Sequence, residues 1–201
     1  MGLVAGWRLW PACLVTGLAI GALSVIPYEG TSGPMHLLGN SAAVWLLAAF
    51  GCGTVAGSWR RGSLAGTVVL LSVVAGFYLL MQLLYPRDDF VRPALFWLLT
   101  AAIGGPVYGA LGTVWRGGAD AARGVSAAAA GAAFLAEALL FTETMAVRVG
   151  EGVLGAVLVI ALARGRRPLL YAAGAFPVLV LAGLLGWTVT SYAAHQYFAG
   201  S

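Results

Sequence analysis

The chain has no lysine; all 11 of its cationic side chains are arginine. Acids are scarcer, with 7 Asp and Glu among 201 residues. Charged residues make up 9% of the sequence, against about 25% in soluble domains. Apolar residues reach 61%, and the mean hydropathy is +0.92. A chain this short cannot hide so much apolar surface inside a globular core. Lipid must solvate much of it, which makes it an integral membrane protein.

Other absences narrow the chemistry. The two cysteines, Cys13 and Cys52, sit in separate apolar segments and form no CxxC pair. That pattern argues against a thiol–disulfide oxidoreductase and against a cysteine metal centre. The simplest reading makes them small apolar core residues. No metal-ligand spacing joins His36 to His195. P-loop, GxSxG and HExxH patterns are missing too. The stretch "YPRDDFVRP" (85–93) holds Asp88 and Asp89, but Val91 and Arg92 follow where DDxxD would place its last acid. Magnesium-driven diphosphate ionisation is therefore not expected, and neither a metal nor a cofactor is.

What is present is a series of apolar runs. A bilayer core of about 30 Å needs about 20 such residues per helix. Seven segments qualify: 9–27, 37–57, 63–85, 94–115, 121–142, 149–164 and 169–192. Helices satisfy their own backbone in lipid. The expected fold is thus all-α, a polytopic transmembrane helical bundle forming one integral membrane domain over residues 1–201. The segment 149–164 is short and begins beside Glu151; six spans result if it does not cross. Arg8 precedes a run that continues to Ile26, read as a retained first span and not as a cleaved signal.

Arginine sets the orientation. Arg8, Arg60, Arg61, Arg116, Arg123, Arg164, Arg166 and Arg167 fall on one side, and Arg87, Arg92 and Arg148 on the other. The positive-inside rule then places the N-terminus in the cytoplasm of a multi-pass cell (inner or plasma) membrane protein. The basic balance reflects this topology, and no nucleic acid partner is expected. Six of the seven carboxylates fall in the outer half, only Asp120 being cytoplasmic. Topology does not demand that bias. The GxxxG spacings Gly17/Gly21, Gly53/Gly57, Gly62/Gly66 and Gly105/Gly109 are read as close helix packing.

Glu137, within "AAFLAEALLF" (132–141), is the acid that needs a reason. A charge inside a span costs a few kcal/mol, and such residues usually face inward and act. Phe134 and Phe141 lie three and four residues away, on its helix face. Desolvation between two rings disfavours the charged form. That predicts a carboxylic acid with a proton to give. The alternative is a structural Glu hydrogen-bonded to a neighbouring helix. Asn40, Trp45, Tyr78, Gln82, Trp97 and Tyr192 fall at similar depth. Amides gain nothing from facing lipid, so with Glu137 these residues predict an outward-opening pocket with a polar floor and aromatic walls. Glu151 is either a second pocket carboxylate or a surface group stabilised by the helix dipole.

Three stretches, "GNSAAVWLLAAFGCG" (39–53), "FWLLTAAIGGPVYGALG" (96–112) and "AFLAEALLF" (133–141), resemble small actinobacterial multi-span membrane proteins. The chain also looks like the membrane-bound indole-sesquiterpene and meroterpenoid cyclases in size, span count and its intramembrane acid. That resemblance implies a metal-independent terpene cyclase of isomerase or lyase type. Its substrate would be a hydrophobic prenylated small molecule, such as a farnesylated indole, met in the bilayer. Glu137 would protonate its alkene or epoxide. Trp45, Tyr78 and Trp97 would steady the cation, within a wall completed by Phe134, Phe141 and Tyr192. Glu151, Asn40 or Gln82 would orient the acid or take the last proton. Two other readings stay open. One is a transporter or substrate-capture subunit in which Glu137 relays a proton or faces a ligand's charge. The other is a scaffold or immunity protein in which Glu137 matters only for stability. The sequence carries no signal for oligomeric state.

Overall fold

A computed structural model describes residues 6–30, 39, 41–86, 88–140 and 145–199. Among the described residues, seven helices follow in sequence: α1 (Gly6–Gly30), α2 (Ala42–Thr54), α3 (Trp59–Leu84), α4 (Val91–Gly117), α5 (Asp120–Leu140), α6 (Met145–Ala163) and α7 (Arg166–Ala199). The described residues contain no strand. Six of these helices, all but α2, are long and apolar enough to cross a membrane. The chain is a multi-pass helical membrane bundle.

The departure from the seven-span expectation lies at the second segment. The sixth, thought marginal, forms the 19-residue α6. The second, expected over 37–57, forms a 13-residue helix, α2. Thirteen residues cover about 20 Å, two-thirds of a hydrocarbon core of about 30 Å. Ser41 sets the start of α2. It has extended backbone, and its hydroxyl accepts a hydrogen bond from Val44 N, the usual N-cap arrangement. The helix therefore begins at Ser41 and is too short to count among the spans.

Close backbone approaches show the directions. Gly17 and Gly21 of α1 lie against Val69 and Val73 of α3, so these helices run the same way. Gly62 and Gly66 of α3 meet Gly109 and Gly105 of α4, which runs back. Gly53 of α2 also lies on Gly109. A Cβ at any of these contacts would overlap backbone atoms of the next helix, so only glycine permits the approach. Gly57 instead takes a positive φ of 78° in the α2–α3 turn. Gly131 on Gly155 joins α5 to α6, and Gly124 against Pro168 joins α5 to α7. Successive helices thus alternate in direction, and the eight arginines of one side gather at one end.

The core clusters fall into two groups of helices, with a third small cluster around Val25 and Phe77 inside the first group. One cluster, with Cys13, Ala49, Val69 and Ala101, joins α1 to α4. Another, with Ala127, Val159, Ala163 and Ala172, joins α5 to α7. Between the two groups, α4 and α7 barely touch.

Candidate functional site

The sparse seam between the groups holds a cavity of about 340 Å³. That volume lies within the range of about 300–1,000 Å³ usual for ligand sites. Trp45 and Leu46 of α2, Trp97, Gly104 and Tyr108 of α4, Glu137 of α5, and Trp187 of α7 line it.

Glu137 lies at the start of α2 and is 6% exposed. Its Oε2 accepts from the Ser41 hydroxyl at 2.9 Å and from Ala43 N at 2.9 Å. Its Oε1 accepts from Ala42 N at 3.0 Å. The Ser41 oxygen also accepts from Val44 N at 3.2 Å, so its one proton points to Glu137. A helix start leaves its first backbone donors without intrahelical partners. Here one serine and one distant glutamate satisfy them, where the buried helix start would otherwise leave them unpaired. The positive end of the α2 dipole also favours a negative group at that point. Both carboxyl oxygens therefore work as acceptors toward α2.

This setting differs from the expected acid between two rings. Phe134 is fully buried but turned toward α6, where its Cβ packs on Gly155. Phe141 and Asn40 lie outside the described residues. Glu151 is buried on α6, on the face of Gly155 that meets α5, and does not line the cavity. Tyr78 is half-buried among the helices that pack behind Trp45, and Gln82 lies one turn further along α3; neither lines the cavity. Tyr192 is 67% exposed and faces outward, as the long and lightly packed α7 carries it away from the bundle. Of the expected pocket residues, the structure brings together Glu137, Trp45 and Trp97.

Other members were not singled out. Trp187 packs on Trp97, ring centroids 6.4 Å apart. Trp97 meets Trp45 edge-on at 6.3 Å. The Trp45 indole N–H donates to Ser24 Oγ at 3.3 Å, which fixes that ring to α1. The Tyr108 hydroxyl donates to Ala129 O at 3.3 Å and ties α4 to α5. Tyr108 stands mid-span in "GGPVYGALG", where an interfacial anchor has no place, and that position was a usable signal. Trp187 and Ser41 had none, since the first reads as a membrane anchor and the second as a helix start.

The cavity opens sideways. Ile103, at its edge on α4, is 71% exposed. On α7, a Cβ added to the lining residue Gly186 would meet nothing within 4 Å. The opening therefore lies between α4 and α7, on the lipid-facing flank. Among the described residues, no group of three or more His, Cys, Asp or Glu is placed to hold a metal.

The comparison with protein families decides the kinship. The chain belongs to DUF6518, a family of unknown function. The family model matches residues 3–193, so the first six helices, most of α7 and all the cavity walls fall within it. No curated protein and no solved structure matches the chain.

Proposed function

We propose that this protein is a membrane-embedded ligand-capture module. Its ligand is a small lipophilic molecule with a cationic head, taken sideways from the bilayer. The observation that carries this reading is the Glu137 carboxylate, held as a hydrogen-bond acceptor on the wall of a three-tryptophan cavity. Ring faces attract a cation with about 0.5–2 kcal/mol each, more when desolvated. A carboxylate beside them supplies the counter-charge, and the alkyl part of the ligand leaves through the gap at Gly186. Transport or delivery to a partner protein would follow capture.

The cyclase reading shares the aromatic wall, which would steady a carbocation as it would an ammonium. Its weak point is the acid. A proton on Glu137 would turn one acceptor into a donor among donors, and among the described lining residues no second carboxyl is present. The Tyr108 proton is already given to Ala129 O.

Two measurements on the full chain in lipid nanodiscs test the choice. The first titrates an alkyl-trimethylammonium and its uncharged tert-butyl isostere, followed by tryptophan fluorescence. The capture reading expects the cation to bind at least about tenfold more tightly, which is about 1.4 kcal/mol. Equal binding of the two sinks it. The second incubates the protein with a farnesylated indole and its epoxide; a cyclised product would restore the cyclase.

A further inference from the structure

Arginines from separate parts of the chain gather around Trp115, near the end of α4. Its indole N–H donates to Leu162 O of α6 at 2.8 Å, which fixes the ring. The guanidinium of Arg164, in the turn between α6 and α7, stands over that ring, 5.7 Å from its centroid. Arg123 of α5 donates through Nε to Trp115 O at 3.4 Å, and Arg116 donates to Thr54 O of α2 at 3.2 Å. Carbonyls at helix ends want donors, so these two arginines act as caps. A cap uses one N–H of the five on each guanidinium. Capping does not account for Arg164. Its φ is 41°, a left-handed position where glycine is the usual residue, yet glycine comes one place later, at Gly165. Arg166 and Arg167 follow at the start of α7, where the helix dipole disfavours cations. Among the described residues, the one acid at this end is Asp120, 3.9 Å from Arg123. Membrane orientation needs positive charge on one side but does not need it gathered at one point. Arg8 and Arg60 show the contrast. Each lies over the tryptophan that precedes it in sequence, Trp7 on α1 and Trp59 on α3.

We propose that this cluster binds the phosphate headgroup of an anionic phospholipid. A guanidinium presents paired N–H donors that match two phosphate oxygens. Contact with a ring face draws on the charge of Arg164 and not on its N–H donors. A phosphate beside Trp115 would take those donors, with the remaining ones of Arg116 and Arg123, and would offset the repulsion among the three cations. Arginine clusters beside a span attract anionic lipids in this way. A lipid suits the place better than a soluble anion, because the helices that meet here continue as exposed apolar surface. Ile160 on α6 and Leu169 and Leu170 on α7 lie within about two turns of Arg164 and are open to acyl chains. The cluster also spans both groups of helices, with α2 and α4 on one side and α5 to α7 on the other. A bound headgroup ties the two groups together at the end away from Glu137.

The test titrates the full chain, in a neutral detergent, with phosphatidylglycerol and with phosphatidylcholine, and counts bound lipid by native mass spectrometry. Phosphatidylglycerol should bind at least about tenfold more tightly. Arg123→Gln/Arg164→Gln should bring the two lipids close to equal. Arg8→Gln/Arg60→Gln removes the same charge from the same end and should keep the preference. If the first double variant does not fold, Arg164→Gln alone, in an exposed turn, should still weaken phosphatidylglycerol binding by about fivefold. The inference is overturned if wild type binds both lipids equally, or if both double variants lose the preference alike, which would leave only a diffuse field. Displacement of the lipid by inorganic phosphate at low millimolar concentration would overturn it too, since the ligand would then be a soluble anion. None of these readouts involves the cavity, so the inference stands apart from the capture reading.

Discussion

The two ends of α2 are built from the same few atoms for opposite purposes. At the Thr54 end the helix is closed onto its neighbours. Gly53 lies on Gly109, Thr113 Oγ1 donates to Gly53 O at 2.8 Å, and Arg116 donates to Thr54 O at 3.2 Å. Carbonyls at a helix end want donors, and α4 supplies them. At the Ser41 end the helix starts in a buried setting, its amides satisfied by Ser41 and by Glu137 of α5. That end borders a cavity where the other borders packed glycine. The lesson is that an intramembrane charge can be required by the backbone before it is used by a ligand. Under the capture proposal, stability and function rest on one carboxylate, and only paired measurements separate them.

Changes at the closed end should affect folding alone, and the largest effect is expected there. Gly109 touches α2 and α3 backbone at once. Gly109→Leu should cost at least about 3 kcal/mol, the upper range of overpacking, because backbone cannot yield as side chains do. Denaturant unfolding in mixed micelles should show little or no folded protein; near-native stability would mean the helices do not approach as described.

At the open end, Glu137→Ala should be next. It leaves the Ser41 hydroxyl and two amides without their acceptor, at about 1–3 kcal/mol for each donor left unpaired. Water admitted through the cavity offsets part of this, so a net loss of about 3 kcal/mol is expected by the same assay. Ser41→Ala should lose about 1–2 kcal/mol through its N-cap role. If both variants unfold like wild type, Glu137 does not hold α2.

Gly186→Leu sharpens the contrast from the other side. Its side chain would enter open space at the mouth of the cavity, so stability should change by less than about 0.5 kcal/mol. Binding of the alkyl-ammonium probe should nevertheless fall by about tenfold or more. Unaltered binding would move the entrance away from the α4–α7 seam.

Much of the scaffold could be read from the chain, because lipid imposes one rule on every segment. Six of the seven expected long helices, their alternation and the gathered arginines follow from run length and charge alone. Three of four glycine pairs pack as their spacing implies. The exception, Gly57, makes a turn, which its position next to the short helix decides and its spacing does not. The length of α2 was hidden, since Ser41 reads as one polar residue in an apolar run until its hydroxyl is seen to cap. The site was legible only in part. Glu137 stood out by its cost, and Trp45 and Trp97 by depth. Helix rotation, which decides that Phe134 turns to α6 and Tyr192 outward while Trp187 turns in, depends on packing between segments far apart in sequence.

The central claim is that Glu137 gives the cavity its preference for positive charge. The most direct measurement is the ratio of affinities for the alkyl-trimethylammonium and its tert-butyl isostere, in wild type and in Glu137→Gln, each confirmed folded in nanodiscs. The predicted result is a ratio of about ten or more in the wild type that collapses to near one in the variant, with affinity for the neutral isostere little changed. A ratio that survives the substitution in a folded protein would contradict the account.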